Sequence, residues 1–170
     1  SDKGLWMIEN KETGKAEEFN DNMLTDDKYH QYLGNAIPKV NLGWSNTLSY
    51  KGFDLNMQFT GQFGAKILNE ARAYYENNAV VHNRLKSAAD KQYGQNVLSI
   101  AQKQTFVSYY LENGNYVKLS NLTLGYTVPL KSNKYAKNIY VYLSGSNLFT
   151  ITGYKGLDPE LSNIDPLSSG

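Results

Sequence analysis

The sequence predicts an all-β fold of long antiparallel strands, and three observations carry that expectation. Two eleven-residue stretches, VNLGWSNTLSY from Val40 and FDLNMQFTGQF from Phe53, alternate apolar and polar side chains with a period of two. Only Lys51 and Gly52 separate them, the length of a tight hairpin loop in which glycine supplies a positive φ. Across the 170 residues there are 14 Tyr, 6 Phe and 14 Gly against 4 Pro, a balance that suits strands with one wet and one apolar face.

Before the first strand, Asp2 to Gln31 is polar and charged and reads as an exposed loop. In the first strand Val40, Leu42, Trp44, Leu48 and Tyr50 share one parity, broken only by Asn46. In the second, Phe53, Leu55, Met57, Phe59 and Phe63 face one way, and Asp54, Asn56, Gln58, Thr60 and Gln62 the other. Residues flanking a two-residue loop pair with each other, so Tyr50 and Phe53 place both apolar parities on one continuous surface. Within the long connection that follows, Lys66 to Tyr75 and His82 to Tyr93 have helix-friendly composition, which predicts short helices in a loop.

A third strand is expected from Tyr116 to Val128, with Leu122, Leu124, Tyr126 and Val128 opposite Asn121, Thr123, Gly125 and Thr127. A fourth sets Ile139, Val141 and Leu143 against Tyr140, Tyr142 and Ser144 and runs toward Phe149. Each strand has about ten or more residues, enough to cross a bilayer at a tilt of ~45° and twice the usual globular length. The tight turn at Lys51–Gly52 and the modest one at Pro129–Asn138 lie on one rim, and the long connections on the other, which is the asymmetry of outer-membrane barrels. Aromatic residues near strand ends (Tyr50, Phe53, Phe63, Tyr116, Tyr126, Phe149) suit interfacial girdles. The competing architecture on the same pattern is a soluble β-sandwich.

Composition excludes other classes. Seventeen basic and sixteen acidic residues, well mixed, give a net charge of +1 and no footprint for nucleic acid. With no cysteine there is no disulfide scaffold or thiolate metal site. Mean hydropathy is −0.54, and no apolar run is long enough for a transmembrane helix, which leaves barrels open. No catalytic set forms around Asp158 and Glu160, which read as turn and cap residues. His30 and His82 are isolated and read as structural or solvated. Gly43, Gly61 and Gly125 read as strand glycines that ease curvature. No catalytic residue, metal ligand or cofactor is expected.

Several phrases stand in order along the chain: Gly34-Asn35-Ala36-Ile37-Pro38, then Tyr50-Lys51-Gly52-Phe53-Asp54-Leu55, then YVKLSNLTLGY from Tyr116 closing on Pro129, then Ser146-Asn147-Leu148-Phe149, then Tyr154-Lys155-Gly156-Leu157-Asp158-Pro159-Glu160. From Gly34 to Glu160 this series resembles the C-terminal part of SusC/RagA-like TonB-dependent transporters. The resemblance implies a barrel of about 22 strands around a plug, of which this chain supplies four. It divides the chain into an extracellular loop segment (1–38), a barrel hairpin (39–63), a long extracellular loop (64–115), a second barrel hairpin (116–149) and a further extracellular loop (150–170). Relatives finish with another strand ending in an aromatic residue, so Ser168-Ser169-Gly170 is expected to fall short of it.

The resemblance also implies the cell outer membrane and its lipid as setting, a SusD-like surface lipoprotein as lid, and TonB reached through an N-terminal part of the parent. The cargo implied is an oligosaccharide or other glycan, or a peptide. In that frame Asn56, Gln58, Thr60, Asn121 and Thr123 face the lumen, and Tyr74, Tyr75, Asn77 and Asn78 contact the ligand or lid. Many relatives carry a calcium-type loop where this chain has Glu9-Asn10-Lys11-Glu12-Thr13-Gly14; Lys11 at a ligand position repels a cation, so a plain surface hairpin is expected there.

Overall fold

The computed structural model describes residues 1–79, 83–90, 97–102, 105–130 and 136–160. Its regular elements are β1 (Met7–Asn10), β2 (Lys15–Glu18), β3 (Val40–Tyr50), β4 (Phe53–Phe63), β5 (Lys66–Leu68), α1 (Glu70–Tyr75), β6 (Leu111–Asn113), β7 (Tyr116–Pro129) and β8 (Asn138–Thr152), with short 3-10 turns between them. The chain divides into two compact units, Ser1–Gly34 with Leu68–Glu112, and Asn35–Ile67 with Asn113–Gly170.

The second unit is an antiparallel sheet in the order β3-β4-β7-β8. β3 and β4 begin and end where the alternation predicts, and Tyr50 pairs with Phe53. Lys51 (φ 48°) and Gly52 (φ 86°) both take positive φ, the type I′ geometry that matches strand twist. The carbonyl of Gly52 accepts from the Thr127 N–H at 2.7 Å, so the loop also docks on β7.

The register departs from simple alternation at Ser120. Gln58 pairs with Asn121 but Phe59 with Leu119, which leaves Ser120 as an extra residue opposite β4. On the other side Leu119 pairs with Phe149 and Asn121 with Ser146, with Asn147 in a left-handed conformation (φ 51°) inside the matching irregularity. A bulge of this kind inverts the parity beyond it. Leu119 therefore joins the apolar face with Leu122, while Tyr116 and Lys118 turn to the polar one. Tyr116 accordingly stands outside the expected aromatic girdle. Phe53 and Tyr126 meet on the apolar face near the tight turn with ring centroids 4.3 Å apart.

No second layer covers this apolar face among the described residues. Leu143 is 77% exposed, Ile151 66%, and Leu42, Trp44, Leu48 and Val141 each more than half. Half-exposing about a dozen such side chains to water would cost on the order of 10 kcal/mol, comparable with the whole stability of a small domain. A soluble sandwich buries this surface on a second sheet; a transmembrane barrel leaves it to hydrocarbon. Eleven residues at ~3.3 Å each, tilted ~45°, span about 25 Å, the height of a barrel's apolar band. The fold is that of transmembrane β-barrel strands.

In the first unit the Asp2–Gln31 stretch is more ordered than an exposed loop, and the surface hairpin expected at Glu9–Gly14 is present. β1 and β2 form a hairpin whose turn is closed by the Gly14 N–H donating to Asn10 O, while the Asn10 side chain accepts from Glu12 and Thr13 N–H. Trp6 packs with Ala73, Leu98 and Tyr110 in the core, flanked by Ile8, Phe19 and Val107. The helix expected from Lys66 starts instead at Glu70. Asn69 caps it by accepting from Arg72 N–H, and Lys66–Leu68 is extended and paired in a two-stranded sheet. Of the second expected helix, Lys86–Ala89 is a 3-10 turn; His82 and Lys91 to Tyr93 lie outside the described residues.

Candidate ligand-facing and lumen-facing sites

The polar face of the sheet brings together all five residues predicted to line a lumen. Asn121 donates to Gln58 Oε1 at 3.0 Å, Thr60 bonds the bulged Ser120 at 2.7 Å, and Thr123 bonds Ser144 at 2.9 Å. Thr47 donates to Asn56 at 2.7 Å. These cross-strand bonds satisfy one another sideways, so the face is wet yet locally ordered. Tyr140 and Tyr142 stand on the same face, near-parallel with centroids 5.9 Å apart.

At one end of this face lies a cluster that the sequence pattern did not reveal. Lys118, turned to the polar face by the bulge, is 3% exposed and donates to Asp158 at 3.1 Å and to Glu160. Tyr116 also donates to Glu160. The Glu160 N–H donates to Asp158 Oδ1, the turn role expected of that pair, but the ammonium between the two carboxylates adds the anchoring charge. Two carboxylates against one lysine are chemically a latch for the segment after β8.

In the first unit, Arg72 makes a bidentate bond to Glu76 (3.0 and 2.9 Å) and a further bond to Glu112, and its guanidinium lies 5.1 Å from the Tyr109 ring. Burial alone would lower the Arg72 pKa, but the two carboxylates more than offset it, so it is raised and the group stays charged. Burial raises the Tyr110 pKa, and the Glu76 charge adds to the effect. This pinned α1 positions the four predicted ligand residues, which do not share one surface. Tyr74 and Tyr75 are partly exposed and meet edge to face at 5.0 Å. Asn77 is buried, with its side-chain oxygen accepting from Ala79 N–H. Asn78 donates to Ala88 O and Leu98 O and accepts from Arg84, so its amide knits the unit together.

The same unit contains a groove of about 540 Å³ that sequence reasoning missed, lined along one side by β1 and elsewhere by Met23, Tyr29, Leu33, Phe106 and Val107. Its one available signal was the alternation of Trp6 and Ile8 ahead of a glycine turn. His30 is on its rim and faces Asp27 at 3.7 Å. Among the described residues no group of three metal-ligating side chains forms.

No family model matches the chain. It is 31% identical over 133 residues to TonB-dependent receptor P3 of Formosa agariphila, a match of 75% of this chain and 13% of the relative. It is 27% identical to the TonB-dependent receptor SusC of Bacteroides thetaiotaomicron, over 74% of this chain and 13% of SusC. Among solved structures it superposes on the RagAB peptide transporter with a TM-score of 0.77 and 26% identity, covering 94% of this chain and 18% of that one. The RagAB importer in its open-open state gives 0.73. The chain thus spans about one eighth of the length of the curated relatives it matches. It is a homologue of the SusC/RagA-like TonB-dependent receptors, corresponding to one stretch of their barrel.

Proposed function

We propose that the parent protein is a TonB-dependent importer of the cell outer membrane and that this chain supplies four strands near the C-terminal end of its barrel. One observation carries the reading: an uncovered apolar sheet face lies back to back with a polar face whose side chains bond across every strand pair. The apolar face meets lipid, and Asn56, Gln58, Thr60, Asn121 and Thr123 face the lumen and its plug. The Lys51–Gly52 and Pro129–Asn138 turns face the periplasm, and the first unit belongs to the extracellular loops. There Tyr74 and Tyr75 offer aromatic surface to an oligosaccharide or peptide, beneath a SusD-like lipoprotein lid. TonB engages an N-terminal part of the parent and supplies the energy. The relatives are named as receptors and transporters, which supports import rather than catalysis.

The test is the electrophoretic mobility of the native protein from its cell envelope, heated against unheated, with an antibody to residues 40–63. The expected result is a large outer-membrane band that shifts on heating. A small soluble species without a shift would instead support a surface β-sandwich that binds carbohydrate.

A further inference from the structure

Among the described residues β1 pairs along its length with β2 alone. The Phe19 N–H donates to Trp6 O, and Trp6 stands opposite Phe19 in the continued register of Met7↔Glu18 and Ile8↔Glu17. In an antiparallel ladder the bonded pairs alternate, so Ile8 bonds to β2 while the main-chain N–H and C=O of Met7 and Glu9 point away from it. Among the described residues nothing pairs with those four groups. Met7 and Glu9 also line the 540 Å³ groove, whose other walls set Met23, Leu33, Phe106 and Val107 beside the polar Gln31, Thr105 and Ser108. Glu9 has no ion-pair partner among the described residues and, apart from the titratable His30, is the one charged side chain on the groove wall.

The geometry points to an edge-strand binding site for an extended, basic oligopeptide, held by the outward main-chain groups of Met7 and Glu9 and by the Glu9 carboxylate. An unpaired edge beside a partly apolar trough binds polypeptide by strand addition: main-chain bonds give affinity, and alternate side chains enter the trough. An oligosaccharide presents no alternating N–H and C=O to match this edge. The site rests on the import reading only for its access to cargo from outside the cell; binding itself is independent of transport.

The test is fluorescence polarisation of a labelled hexapeptide alternating lysine and leucine, titrated into the detergent-purified full-length protein. The expected result is saturable binding that weakens about tenfold when alternate peptide amides are N-methylated. Glu9→Lys and Met7→Pro weaken it, the latter removing an outward N–H without removing a bond to β2. Glu70→Lys, the same charge change on the exposed start of α1, leaves it unaltered, and the heat-dependent gel shift checks that each variant is folded. Equal affinity for the N-methylated peptide, displacement by maltohexaose, or no saturable binding would overturn the site and leave Glu9 as a charge that guards a bare edge. Uptake is measured separately, so a transporter that imports but does not bind this peptide contradicts the site alone.

Discussion

The ring of Tyr140 lies over Gly125 on the polar face of the β7–β8 ladder, so closely that a Cβ on Gly125 would collide with the Tyr140 hydroxyl. Gly125 is thus a space-holder for an aromatic ring, not only a residue that eases curvature. Gly125→Val is expected to displace Tyr140 and cost about 1–3 kcal/mol. Tyr140→Ala in the same chain should return most of that loss. A double-mutant cycle read by the temperature of the heat-dependent gel shift checks it, and additive effects would contradict the contact.

At the tight turn, Gly52 has φ 86°, and a Cβ there would also stand 3.1 Å from Thr127 O. Gly52→Ala should cost about 1 kcal/mol or more, because both the conformation and the approach of β7 disfavour it. Lys51→Asn, a residue more tolerant of positive φ, should be neutral or mildly stabilising. The same gel-shift midpoint reads both.

Lys118 predicts a local effect. Lys118→Met leaves Asp158 and Glu160 facing each other without the ammonium, and should release the segment after β8 at a cost of about 1–2 kcal/mol, given that both carboxylates are partly solvated. Limited trypsin digestion after the exposed Lys155 should become several times faster. An unchanged rate would show that the latch does not hold the segment.

Tyr110 ties the first unit to pH. Its folded pKa is raised by burial above the ordinary value near 10, so below about pH 10 its contribution is fully present. As pH climbs from there toward the folded pKa, the unfolded state ionises first and stability is lost. Order in this unit, followed by hydrogen exchange in β1 and α1, should therefore fall above about pH 10, and Tyr110→Phe should weaken that alkaline loss.

The strands were legible because alternation over eleven residues is a local signal, and β3 and β4 carry it without interruption. The bulge at Ser120 was not: Tyr116, Lys118 and Ser120 share a parity with Leu122, so the string alone places Lys118 on the apolar face. Its turn to the polar face comes from pairing with two neighbours at once. The first unit was hidden for another reason. Its core joins Trp6 to Ala73, Leu98 and Tyr110, and the Trp6 N–H bonds Gln102 from 96 residues away, while β1 and β2 have four residues each. Among the predicted ligand residues, Tyr74 and Tyr75 reach the surface. Asn77 and Asn78 turn inward because nearby main-chain groups, such as Leu98 O, need donors and acceptors that a local reading does not supply.

In the proposed importer, adjacent residues of β8 face lipid and lumen in turn. Single nitroxide labels at Leu143→Cys and Tyr142→Cys in the full-length protein, reconstituted in bilayers, test it by collision with oxygen and with a water-soluble nickel chelate. The label at 143 is expected to collide chiefly with oxygen and the label at 142 with nickel. Equal nickel access at both positions would contradict it, because a sheet in water has no lipid-facing side.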